Sequence, residues 1–417
     1  MTAPTAVAAA PPAGRAPTGA STPTRRNAPP DSVRRLRRLQ VAAVALLLVF
    51  GALVVTALAV AFNSAQAARE TLTQYNRLAD AQVQALAVQQ TANTWPLSPS
   101  SQLRTSVQTQ LGELATTLAD AASLAEDRGR VVPLAGAVVS YGMTLQDALN
   151  ADGTASAALL AKADEQLRTD ILSPLDEARQ VVGDRLVTDL NSNWMLGVYL
   201  GAVVVAGGLV AILVRLARLS HRYVNIGVAA GLICVLLSVG VAAGALGVAS
   251  STAAGFTATT RTNLDDLATA RRQLNQGRAD ELLAIGLRSA GSSYLTRWDT
   301  EYAAARKALV AVPNSTSAQA ALSSYNAAHK QVTSALGKSQ WDQAAALAVG
   351  NGASGKTFDA ADTAILQLAD TVREPLTSGV AAAATTIAGA IGGVIVLILG
   401  GAALATWGVA RRIEEYR

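Results

Sequence analysis

Residues 41–62 read VAAVALLLVFGALVVTALAVAF, twenty-two positions without one charged side chain. A helix of about 20 such residues crosses the hydrocarbon core of a bilayer, because it satisfies its own backbone hydrogen bonds where no water can. Arg34, Arg35, Arg37 and Arg38 stand immediately before it. Three further runs have the same character: 195–214, 226–249 and 380–409, the last longer than a crossing needs, so that its start can lie as late as Ile387. Arg215, Arg218 and Arg222 fill the 215–225 loop, and Arg411, Arg412 and Arg417 the 410–417 tail. Basic residues stay on the cytoplasmic side. All three clusters agree on one topology: four crossings of a bacterial cytoplasmic membrane, both termini inside, and segments 63–193 and 250–379 outside. The predicted fold class is all-α and multi-pass.

Composition fits this reading. The apolar fraction is 51% but the aromatic fraction only 4%, an excess of Ala, Val, Leu and Gly that suits closely packed helices. Gly207-Gly208, Gly392-Gly393 and Gly400-Gly401 are expected to let spans approach one another. The single cysteine, Cys234, lies in an apolar run, which excludes an intramolecular disulfide. The net charge of +5 is explained by the anchoring arginines, so no nucleic-acid partner is expected. Ala65-Gln66-Ala67 resembles a signal-peptide cleavage site, but the apolar run exceeds the usual 7–15 residues and an uncleaved anchor is expected. Residues 1–33, rich in Ala, Pro, Thr and Gly, are expected to be a disordered cytoplasmic tail. Thr18, Thr22 and Thr24 near Arg25 and Arg26 are candidate phosphorylation sites there, against the alternative of an unmodified tail.

Ile226 lies 185 residues after Val41, and each half reads as basic cluster, span, external segment, span, basic cluster. A tandem repeat of span, helical bundle and span is the expectation. The spacing of Leu72, Tyr75, Leu78, Gln82, Leu86 and Gln89 predicts that the first span continues as a helix to about Thr94. Trp95-Pro96 and Pro99 stop it, and Ser100 or Ser101 caps a second helix with Leu103, Val107, Leu111, Leu114 and Leu118 on one face. Breaks are expected at Gly129 to Pro133 and at Asp152-Gly153, and a fresh helix start at Ser173-Pro174-Leu175-Asp176, echoed by Glu374-Pro375-Leu376 in the second half. Those breaks predict four antiparallel helices. In the second segment the third span is expected to extend toward Arg288. Gly291, Pro313, Gly337 and the 350–355 loop divide the rest, and a last helix runs from about Thr357 into the fourth span.

Charge separates the two external segments. Residues 63–193 hold nine basic and fifteen acidic residues, a balance of −6, and residues 250–379 hold twelve and eleven, a balance of +1. Arg271, Arg278, Arg288 and Arg297, with Trp298 and its neighbours Tyr294 and Tyr302, are the candidate ligand- or partner-binding residues: a cationic, aromatic-edged face suits carboxylates or an acidic protein surface. The alternative is a solvated face paired with Asp265, Asp266, Asp280, Glu281, Asp299 and Glu301.

Catalytic chemistry is not expected. Residues 350–357, GNGASGKT, match the phosphate-loop pattern, but that loop needs a preceding strand and residues 341–349 read as helix. His221 and His329 lie on different segments, so no His cluster forms, and the span cores lack the ionisable residues of a transporter. No cofactor or metal is expected.

The arrangement across residues 34–417 resembles the GlnX-type membrane proteins of actinobacteria. The residues carrying the likeness are His221-Arg222-Tyr223-Val224-Asn225 at the third span and the 350–359 stretch. Each external half also resembles the four-helix sensor bundle of chemoreceptors. The resemblance implies a relay of amino-acid availability from an external solute-binding lipoprotein to a soluble Ser/Thr kinase; it carries over no binding residue. The functional expectation is a non-enzymatic transmembrane sensor or relay, with a structural envelope scaffold as the alternative. The expected partners are the lipid bilayer, that lipoprotein, that kinase and a second copy of the chain.

Overall fold

The computed structural model describes residues 30–190, 195–220, 226–255 and 258–415. Among these the chain is all-α. The expectations for the tail before residue 30, its threonines, and the 221–225 motif lie outside the described residues.

Helix α1 (Pro30–Asn93) is 64 residues long and runs unbroken from the arginine cluster through the apolar run into polar sequence. At 1.5 Å per residue it spans roughly 95 Å, three times a hydrocarbon core. It ends where Trp95-Pro96 forbids continuation. Helix α2 (Ser101–Ala121) starts at Ser100, whose hydroxyl accepts the Leu103 amide at 3.1 Å. Helices α3 (Arg128–Asn150), α4 (Gly153–Gln166) and α5 (Ser173–Leu190) complete the first bundle. Helix α6 (Met195–Ser220) is the second apolar helix and α7 (Ile226–Gly255) the third. The second bundle holds α8 (Ala258–Leu287), a 3-10 turn (Arg288–Gly291), α9 (Ser292–Ala311), α10 (Thr316–Gly337) and the short α11 (Trp341–Ala348). Helix α12 (Ala353–Glu415), 63 residues, runs back from that bundle through the last apolar run. Four helices, α1, α6, α7 and α12, contain stretches long and apolar enough to cross a membrane.

Two expected breaks are corrected. The expected N-cap at Ser173 is absent: Ser173 is itself helical, and a π-helical turn (Leu167–Leu172) joins α4 to α5 without interruption. Pro174 has no N–H and its ring would clash with the carbonyl four residues back. The wider π turn absorbs the defect, with the Ser173 amide bonding to Arg168 O five residues earlier. The break at Gly129 to Pro133 is likewise absent. The chain turns at 122–127, and Pro133 sits inside α3 on its solvent face, where water reaches the carbonyl it leaves unpaired. Pro375 is also carried inside α12.

The positions that set the period of α1 are all buried, including Gln82 and Gln89. Each glutamine bonds a backbone carbonyl, Gln82 that of Leu172 and Gln89 that of Leu160, so neither is an orphan in the core. The apolar helices pack through small residues. One glycine of each expected pair faces a neighbour: Gly208 meets Leu46, Gly393 meets Val241 and Gly401 meets Cys234, while Gly207, Gly392 and Gly400 face open space. Closest among the glycines of the apolar helices is Gly227 on α7, where an added Cβ would run into the Leu404 carbonyl and come within 2.7 Å of Gly408 Cα. Both obstacles are backbone and cannot rotate away. Gly227→Leu is therefore expected to lower the stability of the lipid-reconstituted chain by about 1–3 kcal/mol, while Gly207→Ala leaves it unchanged. Equal melting temperatures for the two variants would show that α7 and α12 do not pack this way.

Candidate functional site

Helix α8 is the part of the second bundle that meets the first, packing against α1 and α4 on one side and α9 and α12 on the other. Twelve consecutive residues, 274–285, are buried, so this stretch has no solvent face. It nevertheless carries Asn275, Gln276, Arg278, Asp280 and Glu281. A buried polar group without a partner costs free energy, and Asn275, Arg278, Asp280 and Glu281 each find one on a neighbouring helix.

Inside the second bundle, Glu281 is fully buried and gathers four donors. Arg278 forms an ion pair with it; the Ser354 hydroxyl lies 2.8 Å from both carboxylate oxygens; His329 Nδ1 lies 2.8 Å from Oε1; and the Tyr325 hydroxyl donates at 3.3 Å. Trp298 closes the cluster: its ring stacks on His329 at 3.5 Å and on Tyr302 at 5.2 Å, and its Nε1 donates to Tyr325. Burial alone would raise the Glu281 carboxyl. Arg278, His329 and Ser354 outweigh it and hold the group down at about 2. Arg278 also bonds the Ala348 carbonyl and lies over the Phe358 ring.

This cluster accounts for the phosphate-loop letters. Residues 350–352 follow helix α11, and no strand precedes them. Ser354, in the first turn of α12, brings the Glu281 carboxylate to the end of the helix where an anion is favoured, and Lys356 points into solvent. An internal carboxylate stands where a phosphate would.

Between the bundles, a second cluster joins elements 112 to 133 residues apart. Arg168, in the π turn, reaches Asp164 at 3.0 Å, Asp280 at 3.0 Å and Glu301 at 2.6 Å. Arg297 reaches Asp164 at 2.6 Å and Asp280 at 3.0 Å and lies over the Tyr294 ring. Three carboxyls thus face two guanidiniums. Burial and the Glu301 charge raise Asp280 to about 9 against the pull of Arg168. Glu301 is raised too, chiefly by burial. One retained proton makes the group neutral. Lower down, Asp265 on α8 accepts from Tyr75 at 2.6 Å and from Arg179 at 2.7 Å. Gln90 bonds Asn275, and Asn93 bonds the Ala279 carbonyl. The bundles are therefore joined by polar contacts as well as by apolar packing.

At the end of the bundles remote from the apolar helices lies a cleft of about 230 Å³ lined by Pro96, Leu97, Thr154, Arg288, Trp341 and Asp342, among others. Both bundles contribute. Arg288 has φ +53, a left-handed conformation uncommon for a side chain other than Gly, Asn or Asp. The turn that holds it requires Gly291, whose Cβ would lie 2.7 Å from Ala284 Cα.

The five residues singled out from sequence thus do not form one exposed face. Arg271 makes a two-pronged pair with Asp362 at 2.9 and 3.0 Å. Arg278 and Trp298 are buried on Glu281, and Arg297 belongs to the cluster between the bundles. Arg288 alone of the five is exposed, and it lines the cleft. Sequence reading did not single out Asp164 or Arg168; it named Glu281 only as a pairing acid on a solvated face and gave His329 no role. Its available signal was the acid pair Asp280-Glu281 running straight into Leu282-Leu283-Ala284-Ile285, charge set in a segment with no polar face. Among the described residues no group of His, Cys, Asp and Glu is placed to hold a metal ion. No protein-family model matches the chain, and comparisons with curated proteins and with solved structures find no match either.

Proposed function

We propose that the chain is a non-enzymatic membrane sensor or relay subunit, inserted in a bacterial cytoplasmic membrane with both termini inside and both bundles outside. One observation carries this reading: α1 and α12 each run without a break from the polar bundles through an apolar run to a basic end. A tilt, rotation or piston shift at the outer end of such a helix is transmitted to its inner end, because no flexible joint intervenes. The polar clusters around α8 are a second support. Interfaces built from oriented charge pairs have discrete arrangements rather than a continuum, which a two-state relay requires. The halves are read as one architecture used twice. The cleft at the outer end, shared by both bundles, is the docking site, and Arg288 is its free cation.

An exported solute-binding lipoprotein is the proposed outer partner and a soluble Ser/Thr kinase the inner one. In the test, a photoreactive residue replaces Trp341 in intact cells, and captured proteins are identified with and without Arg288→Glu. The expected result is one exported protein, captured at least about tenfold less in the variant, the effect of one misplaced charge at a docking site. No exported protein in either sample, with inner partners still correctly localised after deletion of both bundles, would favour a structural scaffold instead.

A further inference from the structure

We propose that the outer face of α3 is the surface through which two copies of this chain associate side by side. The proposal rests on the membrane topology above and goes beyond it.

Among the described residues, four large apolar side chains are exposed outside the apolar helices: Val132, Val139, Met143 and Val310, each more than half accessible. Three of them lie on one helix at spacings of seven and four residues. With Ala135 and Gly136, also exposed, they form a stripe on one side of α3 about 16 Å long. The opposite side of α3 carries Val131, Leu134, Val138, Tyr141 and Leu145 into the core, so the helix is already anchored and the stripe is surplus to its own fold. Its packing partners are α2 and the α4–α5 helix, and among the described residues nothing covers the stripe.

Charge selects the occupant. No charged residue occurs from Val131 to Gln146, although the 63–193 segment holds fifteen acidic residues. A different protein docking on an acidic bundle gains from opposite charge, and this face offers none. A second copy imposes the reverse requirement. Two copies anchored in one membrane share their orientation, so a two-fold axis along the membrane normal sets α3 parallel to its own image. Each position on the axis then meets itself, and any charge there would meet its like. A charge-free stripe with small residues at Ala135 and Gly136 meets that condition, and the small residues let the two backbones approach. One helix face is less than the ~800 Å² per partner of a stable soluble dimer, but confinement in a bilayer raises the effective concentration of the partner.

Self-facing positions permit a direct test on the full chain in native membranes. In a Cys234→Ser background, Val139→Cys and Met143→Cys are each introduced singly, with Ser324→Cys on α10 as an exposed control. Oxidation is expected to join the first two into species of twice the monomer mass, at least about tenfold more than the control. Adding Val132→Asp, which alters only an exposed side chain, is expected to reduce that yield about tenfold. An equal yield at Ser324→Cys, no cross-link at either α3 position, or a cross-link to a different protein would each overturn the proposal. An impermeant thiol label on intact cells separates this from the topology. Labelling of Val139→Cys without cross-linking sinks the dimer alone, whereas labelling only after lysis sinks the membrane reading beneath it.

Discussion

Arg278→Leu is expected to lower the stability of the second bundle by about 3–5 kcal/mol, the cost of leaving a buried charge without its counter-ion. Glu281 has no access to water, and Arg278 is its only fixed positive charge. Once that guanidinium is gone, Tyr325, Ser354 and His329 can still donate hydrogen bonds but do not replace its charge. The double variant Arg278→Leu with Glu281→Leu removes both charges and is expected to recover most of the loss, because a buried ion pair is often worth little more than well-packed apolar residues. Urea midpoints of the lipid-reconstituted chain, read by circular dichroism, measure both. A loss below about 1 kcal/mol for Arg278→Leu is the behaviour of a surface pair and would show that water reaches Glu281. A double variant as unstable as the single one would locate the loss in side-chain packing around Phe358 instead.

How far the sequence foretells this molecule depends on whether a feature is local. Apolar runs, the Trp95-Pro96 stop, the Ser100 cap and the Asp152-Gly153 break depend on a few neighbouring residues, and all are visible in the letters. Ser173-Pro174 is different. A proline removes one donor wherever it stands, but whether the helix ends there or widens into a π turn depends on the helices packed around it. Here Leu167, Ile171 and Leu172 before the proline and Leu175 and Ala178 after it are buried, and that packing keeps the helix whole.

The charged residues are the harder case. Arg297 finds Asp164 at a separation of 133 residues and His329 finds Glu281 at 48, and helical spacing is silent on both. Reading Arg271, Arg278, Arg288 and Arg297 as one face assumed that α8 has a solvent side along its whole length. The burial of 274–285 removes that assumption for Arg278, whereas the turn after α8 does leave Arg288 exposed. The aromatic spacing held better: Trp298 and Tyr302 do stack, and Tyr294 does take an arginine over its ring, but Trp298 does so in the core and not at an edge.

The cluster between the bundles gives the other large effect, a stability that falls as pH rises. Asp280 ionises near 3.9 in an unfolded chain and at about 9 in the folded one. Between those values the folded state holds a proton that the unfolded state has released, so its stabilisation is full below pH 4 and is lost progressively up to pH 9. One proton limits the slope to about 1.4 kcal/mol per pH unit. Asp280→Asn keeps the shape, stays neutral at every pH, and can donate its amide toward Glu301. The variant is expected to match the natural chain near pH 5 and to exceed it in melting temperature at pH 9, with the gap widening steadily between those values and levelling off above pH 9. The residues facing Asp280 are Arg168 and Asp164 from the α4–α5 helix, and Arg297 and Glu301 from α9. Other carboxyls raised by burial, among them Asp80 and Asp266, titrate in both chains and cancel in the difference. Melting curves that stay parallel from pH 5 to pH 9 would mean that Arg168 and Arg297 carry all three carboxyls ionised, and that no proton is held where the two bundles meet.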